Sequence, residues 1–75
     1  MLKKSVIIAG RHSTSISLEE EFFTELKLIA AARKMTINGL VTEIDASRIN
    51  PNLSSAIRIY ILNYLKNNPG KNIRG

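Results

Sequence analysis

Arg11-His-Ser-Thr-Ser-Ile-Ser17, followed at once by Leu18-Glu-Glu-Glu21, is the stretch from which the fold is read. A period of two places Arg11, Ser13, Ser15 and Ser17 on one face of a strand, and His12, Thr14 and Ile16, with Leu18 beyond, on the other. The first face is wholly polar, whereas Ile16 and Leu18 require apolar cover. A lone strand leaves backbone donors and acceptors unpaired along both edges, so this one needs a partner. Ser5-Val-Ile-Ile-Ala9, closed by Gly10, is the only other strand candidate. Either it folds back through Gly10-Arg11, a fair turn pair, or the same strand of a second chain completes the ribbon. The second arrangement is expected, with residues 1–10 as an N-terminal arm.

Size points the same way. A 75-residue chain forms one small domain and buries only about 60% of its unfolded surface. The absence of cysteine excludes disulfides and a thiolate zinc site, and a single histidine, His12, cannot build an imidazole one. Oligomerisation is then the remaining source of buried area, a first argument for a homodimer. A net charge of +5 and a pI near 10.0 favour anionic partners, nucleic acid ahead of membrane. Lys3 and Lys4 are followed by too short an apolar run for a signal peptide, and no segment approaches spanning length. A cytoplasmic protein without a membrane partner is expected.

Ser17-Leu-Glu-Glu20 has the form of a capping box, and Glu19 to Glu21 suit the positive end of a helix dipole. In that first helix Leu18, Phe22, Phe23, Leu26, Ile29 and Ala30 recur at steps of three and four as one apolar stripe. The phenylalanines therefore read as core and not as platforms for stacked bases. Thr36 caps a second helix whose apolar face is Ile37, Leu40, Val41 and Ile44. Asn38-Gly39 is a competing hairpin signal, but the helical spacing continues to Ile44. Asn50-Pro51-Asn52 is a turn, and a third helix follows from about Leu53 to about Asn67, stopped by Pro69-Gly70. Ile57, Ile59, Tyr60, Ile61, Leu62, Tyr64 and Leu65 make it apolar almost all round, a second argument for a homodimer. The resulting division is an arm over 1–10, one domain over 11–67, and a basic tail over 68–75 that is expected to be disordered.

Catalysis is poorly provided for. His12 has no carboxylate beside it in sequence, and Ser13, Ser15 and Ser17 have no activating partner. Gly10-Arg-His-Ser-Thr14 lacks the second glycine and the lysine of a phosphate-binding loop. Glu19 to Glu21 point in different directions from a helix start and read as a solvated cap, not a cation site. No enzyme activity, metal or cofactor is expected.

What remains is binding, and here the order of elements matters. Ser13-Thr-Ser-Ile-Ser-Leu18 as a strand, Glu19 to Ala32 as a helix and Thr36-Ile-Asn-Gly-Leu-Val-Thr-Glu-Ile44 as a second helix resemble the ribbon-helix-helix family of bacterial DNA-binding proteins. Gly10, Thr14-Ser-Ile-Ser-Leu-Glu19, Glu43-Ile-Asp45 and Asn52-Leu-Ser-Ser-Ala-Ile-Arg58 look most like a short branch of it. The resemblance runs from Arg11 to Leu65. Leu53-Ser-Ser-Ala-Ile-Arg58 is an alternative match to the family's second helix, with Thr36 to Arg48 then an insertion.

The resemblance implies a mostly α, ribbon-helix-helix fold. One N-terminal strand pairs across a dimer, and a third C-terminal helix is added to the family's two. It also implies a transcriptional regulator that inserts a two-stranded antiparallel ribbon into the major groove of double-stranded DNA. The base-contacting positions would be Arg11, Ser13 and Ser15, with Ser17 next in line. Phosphate would be held by Thr36 with the amides of Ile37 and Asn38, and by Lys3 and Lys4 on the arm. Family ribbons present long basic or amide side chains, whereas this one presents mostly serines, which discriminate bases weakly. The alternative function is a dimeric protein-interaction module that keeps the fold without binding DNA. An antitoxin-like role would call for a longer tail than Lys71 to Gly75.

Overall fold

The computed structural model describes residues 1–8 and 12–67. Arg11, the Gly10-Arg11 turn and the tail over 68–75 lie outside the described residues. Two strands, β1 (Leu2–Ile8) and β2 (His12–Leu18), precede three helices, α1 (Glu20–Ala32), α2 (Ile37–Ser47) and α3 (Leu53–Asn67). Helix predominates, as expected.

The partner of β2 comes from its own chain. β1 pairs with it antiparallel, from Leu2 opposite Leu18 to Ile8 opposite His12. The stretch expected to be an arm is therefore a strand, and a second copy is not needed to complete this ribbon. The expectation of an arm assumed that a hairpin here needs a two-residue turn. Residues 9–11 separate the strands, and three-residue connections are also common in hairpins. The alternation in β2 is as read from the sequence: Ile16 and Leu18 are fully buried, while Ser13 and Ser15 are exposed. β1 adds Val6 to the same inward face.

Both outer edges of this hairpin are met by the first turn of a helix. The Ile7 amide donates to Asn38 Oδ1 at 3.3 Å, at the start of α2. On the opposite edge the Ser17 amide donates to Ser54 Oγ at 3.1 Å, at the start of α3. Arg58 Nη2 donates to the Ser17 carbonyl at 3.2 Å. These edge contacts overturn the capping box. Ser17 lies within β2 and its backbone is held by α3, Leu18 continues the strand into the core, and the N-cap of α1 is Glu19, with no side-chain cap bond. Glu19 instead accepts from Arg58 Nε at 2.9 Å. That bond holds its carboxyl below the usual range.

The α1 stripe packs as expected through Phe23, Leu26, Ile29 and Ala30, with Phe22 partly buried against the core. The helix ends in a Schellman arrangement: the Met35 amide donates to the Ala30 carbonyl at 2.8 Å and the Lys34 amide to the Ala31 carbonyl at 3.1 Å. Lys34 occupies the left-handed position with φ of 57°. Arg33, at the C-cap, reaches Glu43 Oε2 and Oε1 at 2.6 and 3.1 Å and Tyr60 Oη at 2.8 Å, so one guanidinium joins all three helices. Its bonds to the carboxylate lower the pKa of Glu43.

Asn38-Gly39 is helical, not a hairpin. The turn before α3 is closed by Arg48, which donates to Asp45 and to the carbonyls of Asn50 and Pro51, while Asn52 Oδ1 accepts from the Ser55 amide. The expectation for α3 holds on one side only. Ala56, Ile57 and Ile61 are buried, but Ile59 and Leu62 are about half exposed and Ile49, before the helix, is fully exposed.

The left-handed position of Lys34 carries a stability cost that glycine lacks. Lys34→Gly is expected to raise the unfolding free energy by up to about 1 kcal/mol, read as a higher urea midpoint at unchanged slope. Lys34→Val at the same position is expected to lower it.

Candidate nucleic-acid interface

The strand register defines the outward face of the hairpin. Lys3, Ser5 and Ile7 on β1 lie opposite Ser17, Ser15 and Ser13 on β2. Lys3, Ser5, Ile7, Ser13 and Ser15 are exposed, and Ser17 is half-buried where α3 meets the strand edge. Neither strand contains a carboxylate. Of the residues expected to face the bases, Ser13 and Ser15 therefore share an open face; Arg11 lies outside the described residues. His12 is exposed at the start of β2, opposite Ile8.

Beside this face the second group of expected residues is brought together. Lys3 and Lys4 line an open cleft of about 350 Å³ with Leu2, Phe23, Lys27 and Ile37. Ile37 is the first residue of α2, so the start of that helix and the two lysines border one cleft. The Asn38 to Ile7 bond fastens the helix start to the edge of β1. Thr36 Oγ1 accepts from the Gly39 amide at 2.9 Å. A hydroxyl that accepts one bond keeps its own hydrogen to donate, and Asn38, accepting through Oδ1, keeps its amide hydrogens. The amides of Ile37 and Asn38 lie in the first turn, where a helix offers no internal acceptor.

Gly39 explains why a hairpin dipeptide sits in a helix. A Cβ there would stand 3.1 Å from Thr36 Oγ1, so the missing side chain makes room for the capping hydroxyl. A glycine in the first turn of α2 costs at most about 1 kcal/mol, and the cap offsets a similar amount.

The charges divide by residue type. Arg33, Arg48 and Arg58 are each held by a carboxylate, to Glu43, Asp45 and Glu19. Lys3, Lys4 and Lys27 are exposed and form no ion pair with a described residue. Lys27 was not singled out from the sequence. Its position one turn after Phe23 placed it beside the apolar stripe, but only the pairing of β1 with β2 brings Lys3 and Lys4 to it. Ser5 and Ile7 were missed for the same reason, since an arm has no outward face.

A family model described as a ribbon-helix-helix domain matches residues 1–65. No curated protein and no solved structure matches the chain. Among the described residues no helix is long and apolar enough to cross a membrane, and no group of three or more His, Cys, Asp or Glu is placed to hold a metal ion.

Thr36→Ala removes the cap bond to Gly39 and is expected to destabilise the fold by about 1 kcal/mol, measured by urea denaturation. Thr36→Ser is expected to restore most of the loss.

Proposed function

Because the chain belongs to the ribbon-helix-helix domain family, we propose that it is a cytoplasmic DNA-binding regulator that acts by binding and not by catalysis. The observation that carries this reading is the acid-free outward face of the hairpin, with exposed serines and Lys3, beside a cleft lined by Lys4, Lys27 and the start of α2. The major groove admits a two-stranded ribbon. Here one chain supplies both strands. In this reading Ser13 and Ser15, with Arg11, address base edges. Lys3, Lys4, Thr36 and the amides of Ile37 and Asn38 hold phosphate, and Lys27 joins them.

Lysines in a phosphate role contribute to every sequence alike, through counterion release. Replacing Lys3, Lys4 and Lys27 together by alanine is expected to weaken binding to random and preferred duplexes equally. The slope of log affinity against log salt should fall by about one for each phosphate that is no longer neutralised. Arg11→Ala is expected to cost about 1–3 kcal/mol on preferred duplexes and less on random ones. Titrations at two salt concentrations, with circular dichroism as the folding control, read both effects. Wild-type affinity in every variant would overturn the reading.

The exposed Ile59 and Leu62 of α3, with Ile49 before it, support a second element of the proposal, association into a homodimer. Ile49 and Ile59 border a groove of about 560 Å³ that also involves Ile44, Pro51 and Tyr60, and Leu62 is exposed one turn after Ile59. The same surface favours the alternative reading, a dimeric interaction module without DNA binding. Sedimentation at micromolar concentration is expected to find a dimer, and Leu62→Glu a monomer of unchanged helicity. A monomeric wild type would remove this part.

A further inference from the structure

Ile7 is the one large apolar side chain on the outward face of the hairpin among the described residues, set among Lys3, Ser5, Ser13, Ser15 and Ser17 and 47% exposed. Its neighbours Val6 and Ile8 turn the other way, Val6 into the core and Ile8 packed against it. The Ile7 amide points away from β2 to Asn38 Oδ1, which makes Ile7 and Ser13 a pair without mutual backbone bonds. Side chains stand closest in such a pair. A β-branched residue is also stiff at χ1. The result is a rigid apolar projection with a hydroxyl directly beside it, on a strand edge fixed by α2.

Resting on the DNA-binding reading above, we infer that Ile7 is a specificity-determining residue that packs on the 5-methyl group of thymine in the major groove, with Ser13 bonding a neighbouring base edge. The thymine methyl is the one apolar group that base pairs present there. Charge favours this occupant over a second copy of the chain. The face carries Lys3 and no carboxylate, so a two-fold contact of it with itself would set lysine-bearing surfaces against each other.

The test uses short alternating adenine-thymine duplexes and the same duplexes with uracil for thymine, which differ only in that methyl group. The full chain is expected to bind the thymine duplex about three- to tenfold more tightly, in line with burial of one methyl group. Ile7→Ser is expected to bring the ratio to about one, and Ile7→Val to keep most of it, since valine retains a branched apolar surface. Circular dichroism checks the fold of each variant.

Equal affinity of the wild type for the two duplexes, or an unchanged ratio in Ile7→Ser, overturns the inference while leaving DNA binding in place. Binding to neither duplex nor to random DNA overturns the DNA-binding reading itself. Conversion of a dimer to a monomer by Ile7→Ser assigns the face to a second copy and overturns the inference as well.

Discussion

The pairing of β1 with β2 inside one chain is the constraint on which the other contacts depend. It satisfies the inner edges of both strands and turns Val6, Ile16 and Leu18 onto the helices. It also leaves two outer edges whose backbone groups still need partners. Asn38 and Ser54 meet them. Each is the second residue of its helix, so the hairpin is held between the starts of α2 and α3. This explains why Ser17 gave up the cap of α1: its backbone amide and carbonyl were already committed to α3.

The side-chain ion pairs act on position more than on stability. Exposed pairs of this kind are screened by solvent and contribute little to stability, and the side chains here are a quarter to nearly half exposed. Arg33 nevertheless fixes the end of α1 against Glu43 and Tyr60, Arg58 fixes α3 against the junction of β2 and α1, and Arg48 closes the turn before α3. The planar, multiply donating guanidinium suits these bridging roles, whereas an ammonium is a compact point charge. With the described arginines so engaged, Lys3, Lys4 and Lys27 carry the outward charge of the cleft.

A domain of this size cannot cover every apolar side chain it contains. Among the described residues thirteen form the buried core, yet Ile49, Ile59 and Leu62 remain outside it. α3 is packed along Ala56, Ile57 and Ile61, with Leu53, Tyr60, Tyr64 and Leu65 partly buried against the core. The apolar composition that suggested a helix buried all round thus divides into one internal face and one surface face. The separation matters for function, because the surface face and the basic face of the hairpin can be altered independently.

Periodicity alone determined much of this protein. The alternation of Ser13 to Leu18 assigned the inner and outer faces of β2, and the three- and four-residue spacing of Phe23 to Ala30 and of Leu40 to Ile44 located α1 and α2 with their buried sides. Thr36 as a cap was also legible, because capping is a bond between residues three apart. The tertiary structure decided what depends on distant contacts. Whether β2 pairs in the chain or across two copies cannot follow from its own pattern, since both satisfy the same backbone groups. Nor could the capping-box form of Ser17 to Glu20 reveal that Ser54 and Arg58 would compete for Ser17. Lys27 gained significance only when β1 laid Lys3 and Lys4 beside it, and Ile7 only when the register placed it opposite Ser13. In each case local sequence specified what a residue can do, and long-range packing specified which alternative it does.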